Sequence, residues 1–301
     1  MNASVQATSG LPTTIPEYLD ALRRALAGAD PALVQDALYD AEEYLRSELA
    51  EQSGRTEAEV IASVASSYGA PEEVAEIYRD TEVKVQTALA PPKPKPRRSM
   101  AGRFFGVVAD PHTYGAMFYM LLSLATGIFY FSWVVTGVSL SLGLSILIIG
   151  VPLLILFVGS TRVLSLLEGR IVETMLGERM PRRPLYANAG KSWGTRIAEL
   201  FTDPRTWATM LYFLVMLPLG IAYFTIVVTG VAFSLSLVAA PFAPLFGLDV
   251  GWPVGFDPVW AAPVALVVGV LLLFVLLHLC RLVGRGHARL AKALLVRTSA
   301  Y

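Results

Sequence analysis

The chain is expected to be all-α, with a small cytoplasmic helical domain joined to a four-helix polytopic membrane domain made of two parallel two-helix repeats. Three observations predict this. Charge is split along the chain: residues 1–90 hold 16 acids and 6 bases, while residues 91–301 hold 8 acids and 18 bases. The two parts therefore carry formal charges of −10 and +10, and the net zero conceals two segments written for different solvents. From Thr113 to Thr161 there is no Asp, Glu, Lys, Arg or His, in a chain that is 54% apolar overall. Finally, residues 110–144 align without gaps on residues 203–237, with 19 of 35 positions identical at an offset of 93.

Taken in order, residues 1–13 are polar, have neither the basic start nor the apolar run of a signal peptide, and are expected to be disordered. Residues 14–90 read as four amphipathic helices. Thr14-Ile15-Pro16-Glu17 is a capping box with proline in the first turn, and Tyr18, Leu19, Leu22 and Leu26 form the apolar stripe that follows it. Gly28 ends that helix, and Asp30-Pro31 opens a second one, with Leu33, Ala37, Leu38, Ala41, Leu45 and Leu49 on one side. Thr56-Glu57-Ala58-Glu59 is a second capping box, and Gly69-Ala70-Pro71-Glu72-Glu73 stops the third helix and starts the fourth. About 75 residues is near the lower limit for one apolar core to hold a domain alone.

Residues 91–102 form a Pro/Lys/Arg linker whose PPKPKPRR run excludes helix. The membrane domain follows over 103–301. As one helix the 49 residues from Thr113 to Thr161 would reach ~70 Å, over twice the ~30 Å hydrocarbon core, so the run must cross twice. Thr136-Gly137 is the expected turn. Crossings are placed near 113–134, 138–159, 206–228 and 260–280. Repeat 1 then spans 103–183 and repeat 2 spans 196–297; a weaker match of Thr161–Leu176 to Cys280–Leu295 at offset 119 leaves 26 extra residues in the second copy. Asp110, Pro111, Thr136 and Gly137 correspond to Asp203, Pro204, Thr229 and Gly230, and the Asp-Pro pairs are expected to cap the entering helices.

Basic residues lie before the first crossing, between the second and third, and after the fourth, so both termini are expected in the cytoplasm of a bacterial inner membrane. Residues 231–247 are apolar enough to suggest a fifth crossing, but that would place five bases outside; with Pro241 and Pro244, the segment is read as re-entrant or lying on the outer surface.

No catalytic, cofactor-binding or metal-binding residues can be assigned, and the chain is not expected to be an enzyme. His112, His278 and His287 have no metal-ligand spacing, Cys280 stands alone, and Gly284-Arg285-Gly286 is not a phosphate loop. The crossings as delimited hold no Asp, Glu, Lys or Arg in their centres, which argues against ion-coupled transport. The acidic domain has no basic stripe, so direct nucleic-acid binding is not expected; its charge keeps it off an anionic leaflet and free to meet a protein. Small residues such as Gly115, Ser123 and Gly127 would let helices approach, and a homo-oligomer is compatible with the sequence.

Residues 17–79 resemble the HAAS (HTH-associated α-helical signalling) domain. The resemblance rests on Tyr18-Leu19 with Leu22, Asp40 with Glu43 and Tyr44, Thr56 through Glu59, and the step at Gly69, Pro71, Glu72 and Glu73, followed by Ala75. Residues 103–297 resemble the bacterial "putative sensor" membrane domain, with its Asp-Pro-led crossings. The two resemblances imply envelope signalling beside a PadR-type winged-helix regulator or a kinase, with the lipid bilayer as the other partner. The resulting expectation is a membrane-embedded sensor or signalling adaptor. The alternative is a transporter, pore or lipid-handling membrane component.

Overall fold

The computed structural model describes residues 12–52, 54–89, 99–146, 149–183, 193–248 and 258–296. Of the expected disordered stretch 1–13 and linker 91–102, residues 1–11 and 91–98 lie outside them; Thr13 is hydrogen-bonded to Glu17, and residues 100–102 are not linker but the start of a helix. The described residues are helical, without strands. The chain forms two compact units: residues 1–90 with 181–196 and 296–301, and residues 91–180 with 197–295.

In the first unit, α1 (Ile15–Ala25), α2 (Pro31–Glu51), α3 (Glu57–Ser67) and α4 (Pro71–Leu89) start where the sequence offers a side-chain acceptor or a proline. Thr14 accepts from the Glu17 amide, and Asp30 accepts from the Ala32 amide. Thr56 and Glu59 satisfy each other's backbone amides reciprocally. The Glu17 carboxylate departs from the expected box: it accepts from the amide and hydroxyl of Thr13. Tyr18, Leu22, Leu26, Ala41, Leu45, Ile61, Val64 and Val74 close over one core. The Gly69–Glu73 step is part of that closure. Gly69 takes φ +118, where a side chain would be strained; its carbonyl accepts from the buried Tyr18 hydroxyl at 2.8 Å. Pro71 begins α4, and the Glu73 carboxylate accepts from the Ala70 amide at 3.2 Å. Glu72 and Glu73 are otherwise exposed.

In the second unit, α5 (Met100–Phe105) precedes the four long helices α6 (Pro111–Ser145), α7 (Gly150–Leu176), α9 (Pro204–Ala239) and α10 (Pro258–Leu295); α8 (Trp193–Thr202) leads into α9. All four are long and apolar enough to cross a bilayer. No more than a third of any of their most apolar windows is buried within the protein. Side chains such as Ile128, Leu142, Leu156, Phe233 and Val264 face outward, as in a multi-pass membrane protein surrounded by hydrocarbon.

The structure corrects the expected boundaries. Thr136-Gly137 is not a turn: α6 runs unbroken to Ser145, and α7 begins at Gly150. An interior glycine costs only ~1 kcal/mol, whereas opening backbone hydrogen bonds in hydrocarbon costs several, so the helix continues. Gly230 likewise lies inside α9. Residues 231–247 do not form the separate segment expected: they continue α9 through Ala239, and a 3₁₀ segment at Ala240–Phe246 follows. The helices at 150–176 and 258–295 run well past the expected ends at 159 and 280, because the bases that begin there do not interrupt helical pairing.

α6 packs most extensively on α9. A Cβ at Gly127 would meet the Met216 carbonyl oxygen at 2.5 Å, and one at Gly220 would collide with the Ser123 carbonyl. Gly127 and Gly220, like Ser123 and Met216, are equated by the offset of 93, so the two glycines make the same backbone contact in opposite directions.

A buried carboxylate shared by tyrosines as the candidate functional site

The repeated Asp-Pro positions sit at helix entrances. Asp110 accepts from the His112 amide at 3.1 Å and is paired with Arg281 at 2.8 Å. Asp203 accepts from the Arg205 amide at 3.0 Å and meets Arg162 at 3.4 Å. Arg162 and Arg281 are the positions equated by the offset of 119, so each aspartate pairs with the arginine of the other sequence copy. Pro111 and Pro204 occupy the first turns of α6 and α9. Thr136 and Thr229 are exposed in mid-helix. Gly137 admits the Phe157 ring, and Gly230 admits the Leu276 side chain. These repeat residues are dispersed along the helices, and the Gly69–Glu73 motif belongs to the other unit.

A different set of side chains does converge. Glu168 on α7 is fully buried. Its Oε1 accepts from the Tyr119 hydroxyl of α6 at 2.6 Å and from the Tyr212 hydroxyl of α9 at 2.9 Å. Its Oε2 accepts from the Tyr130 hydroxyl of α6 at 3.0 Å. His287 of α10 completes the cluster, with Nε2 at 2.6 Å from the Tyr119 hydroxyl and 2.9 Å from that of Tyr212. Tyr223 of α9 lies 3.3 Å from His287 Nδ1. Each of the four long helices thus contributes at least one polar side chain to one point.

Counting hydrogens gives a consistent assignment. An ionised Glu168 accepts all three tyrosine protons. A neutral His287 with its proton on Nε2 donates to the Tyr119 and Tyr212 oxygens, and Nδ1 accepts from Tyr223. A carboxylate in an apolar interior is costly without such donors, and three hydroxyls are a strong complement. Glu168, Tyr119, Tyr130, Tyr212 and His287 are each no more than 2% exposed, so the cluster is screened from bulk water. Among the described residues no group of three or more His, Cys, Asp or Glu could hold a metal.

The sequence reading overlooked this cluster because it ended the second and fourth crossings before Glu168 and His287. A signal was nevertheless present. The offset of 93 equates Tyr119 with Tyr212 and Tyr130 with Tyr223, and the offset of 119 equates Glu168 with His287. Titratable side chains at matched positions of apolar helices mark a shared site.

The cluster coincides with a family match. The family model described as "Putative sensor" matches residues 119–295, more than half of the chain, a span that opens on Tyr119 and takes in Glu168 and His287. The chain belongs to the sensor family. Ahead of this sensor domain, the HAAS model matches residues 17–77, which cover the core of the first unit. No curated protein and no solved structure matches the chain. The sensor domain is thus the part that contains the four long helices and the polar cluster, and the HAAS domain precedes it.

Proposed function

We propose that this protein is a sensor-type signalling adaptor of the bacterial inner membrane, with both termini in the cytoplasm. The sensor domain responds to an envelope or lipophilic signal, and the HAAS domain passes the response to a cytoplasmic winged-helix regulator of the PadR type or to a kinase. The supporting observation is the meeting of all four long helices at Glu168. A shift of any one helix relative to the others breaks at least one hydrogen bond of this buried cluster, to Glu168 for α6, α7 and α9 and to His287 for α10, which favours discrete alternative packings over gradual deformation. The acidic HAAS domain and the crosswise Asp110–Arg281 and Asp203–Arg162 pairs fit the same scheme. The two sequence copies, read as a duplication, supply a frame in which one copy moves against the other.

The deciding experiment co-expresses the full chain with candidate winged-helix regulators and kinases in its native host and measures their DNA binding or phosphorylation. Expected is a change that depends on the HAAS domain and is altered by Glu168→Gln. No change with any candidate, together with solute flux through the purified chain in proteoliposomes, overturns the reading. That outcome would support the second reading, a transporter, pore or lipid-handling component. One observation favours it: Glu168 and His287 are the kind of buried ionisable pair that marks conduction paths in membrane helices.

A further inference from the structure

The first unit contains a second built contact, made by α2 with residues 181–183. Gln35, Asp36, Tyr39 and Asp40 lie one helical turn apart in two rows on one face of α2. The Asp36 carboxylate is 5% exposed, and its Oδ1 accepts from two successive backbone amides, those of Arg182 at 2.7 Å and Arg183 at 2.9 Å. Gln35 Nε2 donates to the Arg183 carbonyl at 2.8 Å. The Arg183 side chain then pairs with Asp40 at 3.0 Å, and its guanidinium lies 5.7 Å from the centre of the Tyr39 ring.

This division of labour has a chemical meaning. Gln35 and Asp36 read main-chain groups that any extended segment offers, provided neither amide is a proline's. Tyr39 and Asp40 read one side chain, and a flat cation suits both the ring face and the carboxylate. The domain's formal charge of −10 favours a basic segment at longer range. The contact is polar, and the apolar core of the unit is built elsewhere, from residues such as Ala37, Ala41 and Leu45. Release of residues 181–183 therefore leaves that core intact.

We infer that this face of α2 is a recognition site for an extended, arginine-bearing protein segment, that Pro181–Arg183 occupies it in cis, and that the cytoplasmic partner presents the same chemistry in trans. The inference deepens the proposed adaptor role by naming the kind of segment its partner offers, and its signalling meaning rests on that reading. The recognition itself rests on the contacts above.

The test uses the full chain in detergent micelles and a fluorescein-labelled Met-Pro-Arg-Arg-Pro-Leu peptide, with Met-Pro-Arg-Ala-Pro-Leu as the comparison. A tethered occupant competes at an effective concentration in the millimolar range. Arg183→Ala, which weakens it, is expected to raise peptide affinity at least tenfold over the unaltered chain. In that background Asp36→Ala should lower affinity at least tenfold, the milder Asp40→Asn at least threefold, and the alanine peptide should bind at least tenfold more weakly. Hydrogen exchange in the unaltered chain should show the Arg182 and Arg183 amides protected, with at least tenfold faster exchange in Asp36→Ala. Equal binding of the two peptides, or unprotected amides in the unaltered chain, overturns the inference. Peptide recognition as expected, with no regulator or kinase responding in the co-expression experiment, would sink the adaptor reading and leave the recognition site standing.

Discussion

Removal of a single hydroxyl from the buried cluster measures the charge it surrounds. Tyr130→Phe keeps the ring, which stacks on Phe213 with centroids 4.5 Å apart, and deletes only the donor to Glu168 Oε2. Among the described residues Tyr130 is the one partner of that oxygen, whereas Oε1 has both Tyr119 and Tyr212. A hydrogen bond to a charged group contributes ~1.5–3 kcal/mol, while neutral interhelical bonds in membrane proteins average ~0.6 kcal/mol. With Glu168 ionised, Tyr130→Phe should cost ~2 kcal/mol. Tyr119→Phe should cost less, ~1 kcal/mol, because Tyr212 still serves both Oε1 and His287 Nε2. In a Glu168→Gln background the penalty of Tyr130→Phe should fall below ~1 kcal/mol, a coupling that a double-mutant cycle isolates. The assay is reversible unfolding of the full chain in mixed detergent micelles at neutral pH, with Tyr114→Phe at a half-exposed position as the control. A Tyr130→Phe penalty at or below the ~0.6 kcal/mol of a neutral bond, or one unchanged by Glu168→Gln, would refute the reasoning.

Two further outcomes follow from the geometry. Gly127→Ala places a methyl group against the Met216 carbonyl and should destabilise the α6–α9 crossing by ~1–3 kcal/mol in the same assay, while Gly143→Ala, which meets nothing within 4 Å, should be neutral or slightly stabilising. Glu59 should make the HAAS domain lose stability in acid. The Thr56 amide and hydroxyl hold its carboxyl below the ordinary 4.5, so its contribution is present above that value and fades as pH falls through the lowered one. Calorimetry of the full chain should show the domain's midpoint dropping with pH below about 4.5, and less steeply in Glu59→Gln.

Much of this architecture was legible in the residues. The helix starts of the first unit follow local rules, since a capping side chain and a proline act within three residues of each other: Thr14, Asp30 and Thr56 each accept from the amides they face. Helix ends inside the apolar region were not legible. Thr136-Gly137 has the residues of a turn in water, but in hydrocarbon the backbone retains its hydrogen bonds and the helix runs on to Ser145. Charge likewise misled. Arg162 and Glu168 look like the start of a cytoplasmic loop, yet both continue α7 because the partners that accommodate them, Asp203 and three tyrosines, arrive from other helices.

The sequence by itself determined the split between an acidic helical domain and an apolar one, the number of long helices, and the matched positions of the two copies, because composition and periodicity are properties of the chain read in order. Only the tertiary structure decided that Tyr119, Glu168, Tyr212 and His287 meet, and that Asp36 reads the backbone at Arg182 and Arg183. Those contacts join residues 44 to 168 positions apart, and no local preference encodes which distant donor a buried carboxylate will find. The pairing is selected by packing, where an unsatisfied charge costs more than any single helix boundary.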